Sequence, residues 1–311
     1  MGIYIAVDIG GTQMRAAAFP SQGNIPLQIK RISTHAVGHS PIDRLITLIK
    51  DIMPPEEEII AIGVAAPGPL DQKKGVILDT PNIPELHDFP IIDYLSRHFK
   101  KPAVLDNDAN LAALSEWKIG SGKGHLHLIY LTISTGIGSG IIIDGRLLHG
   151  QLGLAPELGH TTILPNGPRC GCGQYGHLES VASGPAIASW VQKSLLDGVE
   201  SSISKSSPLT ASIVAQAAAQ GDQLGQAAFT RAGTFIGQAL ADFIHIFNPS
   251  VVIFGGGVSR SGNLLISPVK NALKKYILSP SYLENLTITT AALGDDAGLI
   301  GAQLLAKQLT H

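Results

Sequence analysis

Both cysteines of this 311-residue chain fall in one stretch, RCGCGQYGHLES at 169–180. Cys170 and Cys172 are one residue apart, so a disulfide between them would be badly strained, and the chain has no third cysteine. In a reducing compartment the two thiolates, with His160 and His177, make a Cys2His2 set, the donor chemistry of a closed, structural zinc site. The C-x-C spacing is not the usual C-x2-C knuckle, so a pair of ordinary loop thiols stands as the alternative. PELGH at 156–160 and GHLES at 176–180 add Glu157 and Glu179 in a region otherwise short of charge. Such carboxylates can accept hydrogen bonds from the vicinal hydroxyls of a sugar, although any one of them could be a plain surface residue.

A second kind of chemistry is written in glycine. VDIGGT at 7–12 puts Asp8 at the end of an apolar strand and Gly10 and Gly11 in the turn behind it. Their amides, with the Thr12 hydroxyl, can hold phosphate oxygens, and an ordinary glycine hairpin is the plainer reading. STGIGSG at 134–140 and FGGGVS at 254–259 repeat the equipment, and three such turns suit a nucleotide triphosphate, which needs contacts from several loops. GxxxxGK[ST] is absent, as is GxGxxG after an apolar strand, which removes the P-loop and weakens a dinucleotide fold. GSGKG at 120–124 reads as a solvated turn. LDNDAN at 105–110 lies where the strand AVL ends and the helix LAALSEW begins. A carboxylate there can take a proton from an alcohol, or the Asp and Asn residues can simply cap the helix.

The elements that must position these groups come in two similar sets. Ile3–Phe19 runs strand, glycine turn, strand, then a turn at 21–24, and Leu126–Leu147 repeats that order with a turn at 144–146. The repeat predicts two related α/β domains facing one another. We place the first at residues 1–118 and the second, carrying the zinc loop, at 119–295, with a final helix from about 296 to 311 returning to the first. Leu299, Ile300, Leu304 and Leu305 form the apolar stripe of that helix. Strands are expected at Ile59–Ala66 and Val251–Phe254, and the serine-dense stretch 198–207 reads as an exposed loop.

Composition limits the partners. With 22 Lys+Arg against 24 Asp+Glu and no basic run interleaved with aromatics, nucleic acid is not expected as a partner. The stretch Gly124–Ile143 lacks Asp, Glu, Lys and Arg, yet its histidines, Ser/Thr cluster and glycines suit two buried strands better than a membrane helix. The opening MGIYIAVDIGG shows neither a basic n-region nor a myristoylation serine or threonine, and the expected location is the cytoplasm.

In this order and over nearly the whole chain, the motifs resemble the ROK family of bacterial sugar kinases and sugar-responsive repressors. DIGGT is similar to its first phosphate motif, STGIGSG to its second, FGGGVS to its adenosine motif and NDAN to its catalytic segment. PELGH resembles its sugar-binding E-x-G-H, and CGCGQYGHLE its zinc signature C-x-C-G-x-x-G-C-x-E. The resemblance implies an actin-like, ribonuclease-H-like two-domain α/β fold with a cleft between the domains. It implies ATP-dependent phosphorylation of glucose at the 6-hydroxyl, with Asp108 as general base and Asn82, Asn107, Glu157, His160 and Glu179 on the sugar. Asp8 would lie near Mg2+, Thr12 with Gly10 and Gly11 near the phosphates, Thr135 and Gly136 in the second phosphate turn, and Gly255, Gly256 and Gly257 at the adenosine. His177 stands where the family has its third cysteine, and Ser134 where a glycine is common. The rival substrates are an N-acetylhexosamine or fructose, and the rival donor is polyphosphate. The repressor reading is remote, because the first strand begins at about residue 3 and leaves no room for a preceding DNA-binding domain. A homodimer or higher homo-oligomer is expected.

Overall fold

The computed structural model describes residues 2–54, 58–80, 82–203 and 208–310. Strands β1 (Gly2–Ile9), β2 (Gln13–Pro20) and β3 (Gln28–Ser33) lead through helix α1 (Pro41–Asp51) to β4 (Glu58–Ala66). A small hairpin, β5 (Leu70–Asp71) and β6 (Val76–Ile77), precedes α2 (Ile91–Phe99), β7 (Ala103–Asn107) and α3 (Asp108–Ile119). The plan then repeats with β8 (Leu128–Ile133), β9 (Ile137–Ile143) and β10 (Arg146–Leu147). Helices α4 (Leu178–Ala182), α5 (Gly184–Leu196), α6 (Ala211–Ala219) and α7 (Gln223–Phe247) follow, then β11 (Val251–Gly255), α8 (Asn263–Tyr276), β12 (Thr287–Thr290) and α9 (Ala297–Gln308).

Two five-stranded sheets result, ordered β3-β2-β1-β4-β7 and β10-β9-β8-β11-β12. In each, three antiparallel strands come first and two strands parallel to the central one are added. The similar hairpins of the sequence therefore occupy equivalent places, and Gly124–Ile143 contains the whole of β8 and β9 as expected. The central strands β1 and β8 are buried on both faces, which is why they read as continuous apolar runs rather than alternating ones. No described helix is long and apolar enough to cross a membrane.

Between the sheets lie α3 and α9. Leu111 and Leu114 of α3 pack with Leu299, Ile300 and Ala302 of α9 and with Tyr4 and Phe19 of the first sheet. Ala112 and Ala113 turn the other way, onto Tyr130, Ile142 and Ile253 of the second. Contact is close enough to require glycine: a Cβ at Gly63 would lie 1.9 Å from the Ala302 carbonyl oxygen, and one at Gly301 would lie 2.0 Å from that of Leu111. Gly301→Ala is therefore expected to cost about 3 kcal/mol, the upper end for overpacking, read as a lower urea midpoint. An unchanged midpoint would mean that α3 and α9 can part without loss.

Both crossings between the sheets are fixed to one buried carboxylate. Glu116, fully enclosed near the end of α3, accepts from the backbone N–H of Ser121 and of Leu293, each at 2.8 Å. GSGKG is thus a turn pinned at its start, with Gly122 buried against Leu128, rather than a freely solvated one. The described part of the serine-dense stretch is a loop, exposed at 198–200 and 202 as expected, with one inward exception. Residues 204–207 lie outside the described residues, but Ser201 and Ser202 donate to Asp222, the cap of α7, and Ile203 joins the helical core. An apolar side chain in a serine run was enough to draw it inward.

Candidate active site

The three glycine turns sit at the carboxyl ends of β1, β8 and β11. Because β8 and β11 are parallel neighbours, the second and third turns lie side by side. Gly256 has φ +83°, and a Cβ there would come 2.4 Å from the Ile133 carbonyl oxygen, so only glycine lets the third turn approach the second. A Cβ at Gly255 would meet the Tyr130 hydroxyl, whereas Gly257 faces open space. In the first turn the Gly10 N–H donates to Gln13 O at 2.9 Å, and Thr34 covers Gly10 by donating its hydroxyl at 2.6 Å. Thr12 and Thr135 are exposed in their turns. Asn82 lies beside this first turn: a Cβ on Gly11 would be 2.6 Å from that of Asn82.

Asp108 opens α3, and Asn107 caps it by accepting from the N–H groups of Ala109 and Asn110 at 2.9 and 3.3 Å. In LDNDAN the cap thus falls on Asn107, with the Asp108 carboxylate beside it. Asp108 Oδ1 accepts from Ala109 N at 2.7 Å. Water reaches this side chain, yet protein surrounds it at the base of the cleft between the sheets. That enclosure, the Asp8 carboxylate and, more weakly, Glu157 push Asp108 up to about 7. Asp8 itself is paired: Arg15, its register partner in the β1–β2 hairpin, donates to Oδ2 at 2.5 and 3.2 Å and reaches Asp296 at 3.5 Å.

Asn107 and Glu157 meet over Gly68. A Cβ there would be 3.3 Å from Glu157 Oε1 and 3.4 Å from Asn107 Nδ2, so the hydrogen of glycine lets the amide at the end of β7 and the carboxylate of the loop after β10 converge. Glu157 Oε2 lies 3.9 Å from His160 Nε2. Burial pushes Glu157 upward, His160 opposes this and Glu179 adds to it. Glu179, on α4, accepts from Ile137 N at 3.0 Å through Oε2, and a Cβ on Gly136 would collide with that oxygen at 2.5 Å. The second glycine turn and Glu179 are therefore fitted to each other.

His160, Cys170, Cys172 and His177 come together with one ligand atom each, all within 4.8 Å of one another. Cys170 Sγ is 3.6 Å from His160 Nδ1, and Cys172 Sγ is 3.3 Å from His177 Nδ1. A tetrahedral zinc with ordinary bond lengths would separate sulfur from nitrogen by about 3.5 Å, so the four donors fit a closed zinc site. Burial, with Cys172 and the Glu179 carboxylate, pushes the Cys170 thiol up to about 12, an environment that a dication among the donors would reverse. His160 turns Nδ1 to this cluster and Nε2 to Glu157, so one ring joins the two groups.

Asp106, a second candidate carboxylate in LDNDAN, faces away from this chemistry. Its side chain is 3% exposed and held by Gln72, His149, Asn110 and the Asn107 N–H. Sequence reading missed Gln72, His149, Gly68 and Arg15. Of these only Arg15 left a usable signal, since a two-strand hairpin around Gly10–Gly11 sets it opposite Asp8.

This combination of a duplicated α/β sheet, three glycine turns and a carboxylate facing a polar wall defines a phosphotransferase-type cleft. The model of the ROK family matches residues 4–309, and the chain belongs to that family. It is 36% identical to a glucokinase of Thermotoga maritima over 308 residues, 98% of this chain and 97% of that protein. It is 33% identical to an N-acetylmannosamine kinase of Yersinia pseudotuberculosis, with 99% of each chain covered. The structure of a ROK family glucokinase from Streptomyces griseus in complex with glucose and AMPPNP superimposes with a TM-score of 0.85 at 32% identity, covering 99% of this chain and 100% of that one.

Proposed function

We propose that the chain is an ATP-dependent glucokinase that phosphorylates the 6-hydroxyl of glucose. The observation that carries this reading is the convergence of Asp108, Asn107, Glu157 and His160 at one cleft bordered by glycine turns. Likeness to glucokinases over nearly full length supports the substrate and the donor. The units 1–118 with 296–311, and 119–295, would close on the substrates, and the protein would work in the cytoplasm as a homo-oligomer.

Phosphoryl transfer is mostly positioning and charge stabilisation. Asp108 takes the proton of the 6-hydroxyl as the hydroxyl oxygen attacks the γ-phosphorus and the bond from that phosphorus to the β–γ bridging oxygen breaks, releasing ADP, and a carboxyl near neutrality is suited to that. Asn107, Glu157, His160 through Nε2, and Glu179 hold the remaining hydroxyls, with Asn82, seated beside the first turn, closing over the sugar. Gly10, Gly11, Thr12, Thr135 and Gly136 receive the phosphates, and Gly255, Gly256 and Gly257 admit the adenosine. Asp8, with one oxygen engaged by Arg15, would hold Mg2+ together with the phosphates, as one carboxylate commonly does. That ion neutralises phosphate charge when bound. A structural Zn2+ would be held by His160, Cys170, Cys172 and His177, fixing the histidine that faces the sugar.

Initial rates of ADP release over glucose, fructose, N-acetylglucosamine and N-acetylmannosamine, with ATP or polyphosphate as donor, test the assignment. Glucose with ATP should give the highest kcat/KM. A higher value on N-acetylmannosamine would transfer the assignment to that activity, which the 33% identical kinase keeps in play. The polar wall also predicts discrimination at carbon 2. A sugar lacking the 2-hydroxyl leaves a buried acceptor unpaired, so 2-deoxyglucose should fall below glucose by about 5- to 150-fold in kcat/KM. Glu179→Ala should narrow that gap, and equal rates on both sugars in the unmutated enzyme would remove these carboxylates from the sugar.

A further inference from the structure

Asp106 stands two residues before Asp108 but shows its carboxylate to other groups entirely. Oδ1 accepts from the Asn107 N–H at 2.7 Å, from Asn110 Nδ2 at 3.2 Å and from Gln72 Nε2. Oδ2 pairs with His149 Nε2 at 2.8 Å. Gln72 opens the β5–β6 turn, on the far side of β5 from Gly68, whereas His149 follows β10, the edge strand of the other sheet. One buried carboxylate thus joins three segments: the start of α3, the segment 68–72 around β5, and the 148–157 loop that ends in Glu157. The same seam holds weaker contacts, with Lys73 Nζ 3.4 Å from Gln151 O and Asn110 Nδ2 3.5 Å from Ala155 O. Burial of the Asp106 carboxylate leaves little water to replace a partner lost there, so its own bonds are costly to break.

We propose that Asp106, His149 and Gln72 are positioning residues that latch the two walls of the sugar site together without touching the sugar. They fix the separation between Asn107 on one side and Glu157 on the other, the pair that meets over Gly68. This rests on the reading that the sugar binds between those residues. A ring that donates to Oδ2 also fixes the direction of the Asp106 carboxylate, and the His149 imidazole is held more basic than usual by that bond. Loss of the latch should loosen the sugar wall while the glycine turns, which belong to other segments, continue to receive the nucleotide.

The test compares the unmutated enzyme with His149→Phe, His149→Gln and Gln72→Ala, varying sugar and ATP separately, on whichever hexose of the panel the unmutated enzyme uses. His149→Phe, which keeps a ring but no donor, should raise the sugar KM about 10-fold or more, with ATP KM unchanged and kcat less affected. His149→Gln restores a donor and should recover most of the loss. Gln72→Ala should shift the sugar KM in the same direction by less, which keeps the test decisive if His149→Phe fails to fold. An unchanged sugar KM in both His149→Phe and Gln72→Ala overturns the latch, as does an equal rise in ATP KM. An unmutated enzyme that phosphorylates no hexose overturns the kinase reading itself, a result distinguishable from either.

Discussion

Asp108→Asn is expected to lower kcat by about 10²- to 10⁴-fold, roughly 3 to 5 kcal/mol of barrier, while leaving the fold and substrate binding largely intact. The amide keeps the oxygen that accepts from Ala109 N at 2.7 Å, so the start of α3 is preserved and only the proton acceptor is lost. The pH dependence gives a second reading of the same group. A base must be ionised to act, and Asp108 is pushed up to about 7 by burial and by the Asp8 and Glu157 carboxylates. In the unmutated enzyme kcat/KM should therefore rise with pH, tenfold per unit below about 7, and level off above it. Stability should move oppositely: the folded state holds a proton that the unfolded chain has released, so this group contributes less to stability as pH rises from the ordinary aspartate range to about 7. Near-normal turnover in Asp108→Asn would remove it from the role, and Asp106 could not take its place without breaking its four bonds.

Metal removal should have the next largest effect. Protein purified without chelator is expected to carry one zinc per chain on His160, Cys170, Cys172 and His177. Stripping it should lower the thermal midpoint, because metal binding to the native state is folding free energy. It should also raise the glucose KM about 10- to 100-fold with little change for ATP, since His160 is both a ligand and part of the sugar wall, Cys170 touches Glu179, and no ligand lies in the glycine turns. His177→Cys should retain the metal and His177→Ala should reduce its occupancy. If elemental analysis finds no zinc and His177→Ala binds glucose normally, the two cysteines are ordinary loop residues.

The features legible in the sequence are those that local chemistry enforces. A glycine turn after an apolar strand looks the same at Gly10–Gly11, Gly136 and Gly255–Gly257, and the order of the two hairpins sufficed to foresee equivalent sheets. The apolar stripe of α9 marked a face that is buried in the structure, although not the glycine contact at Gly301 that sets its depth. What escaped was long-range pairing of ordinary residues. Gln72 and His149 reach Asp106 across 34 and 43 positions, and nothing in their neighbours announces it. Asn82 illustrates a different limit: its motif was visible, but its seat beside Gly11 depends on how the loop 82–89 folds over the first sheet.

The reaction itself provides the most direct test. Phosphorus NMR of the enzyme with Mg2+, ATP and glucose should show ADP and glucose 6-phosphate appearing in equal amounts, and Asp108→Asn should suppress both together. ADP and free phosphate without a sugar phosphate, or phosphate carried on any hydroxyl other than the sixth, would contradict the assignment.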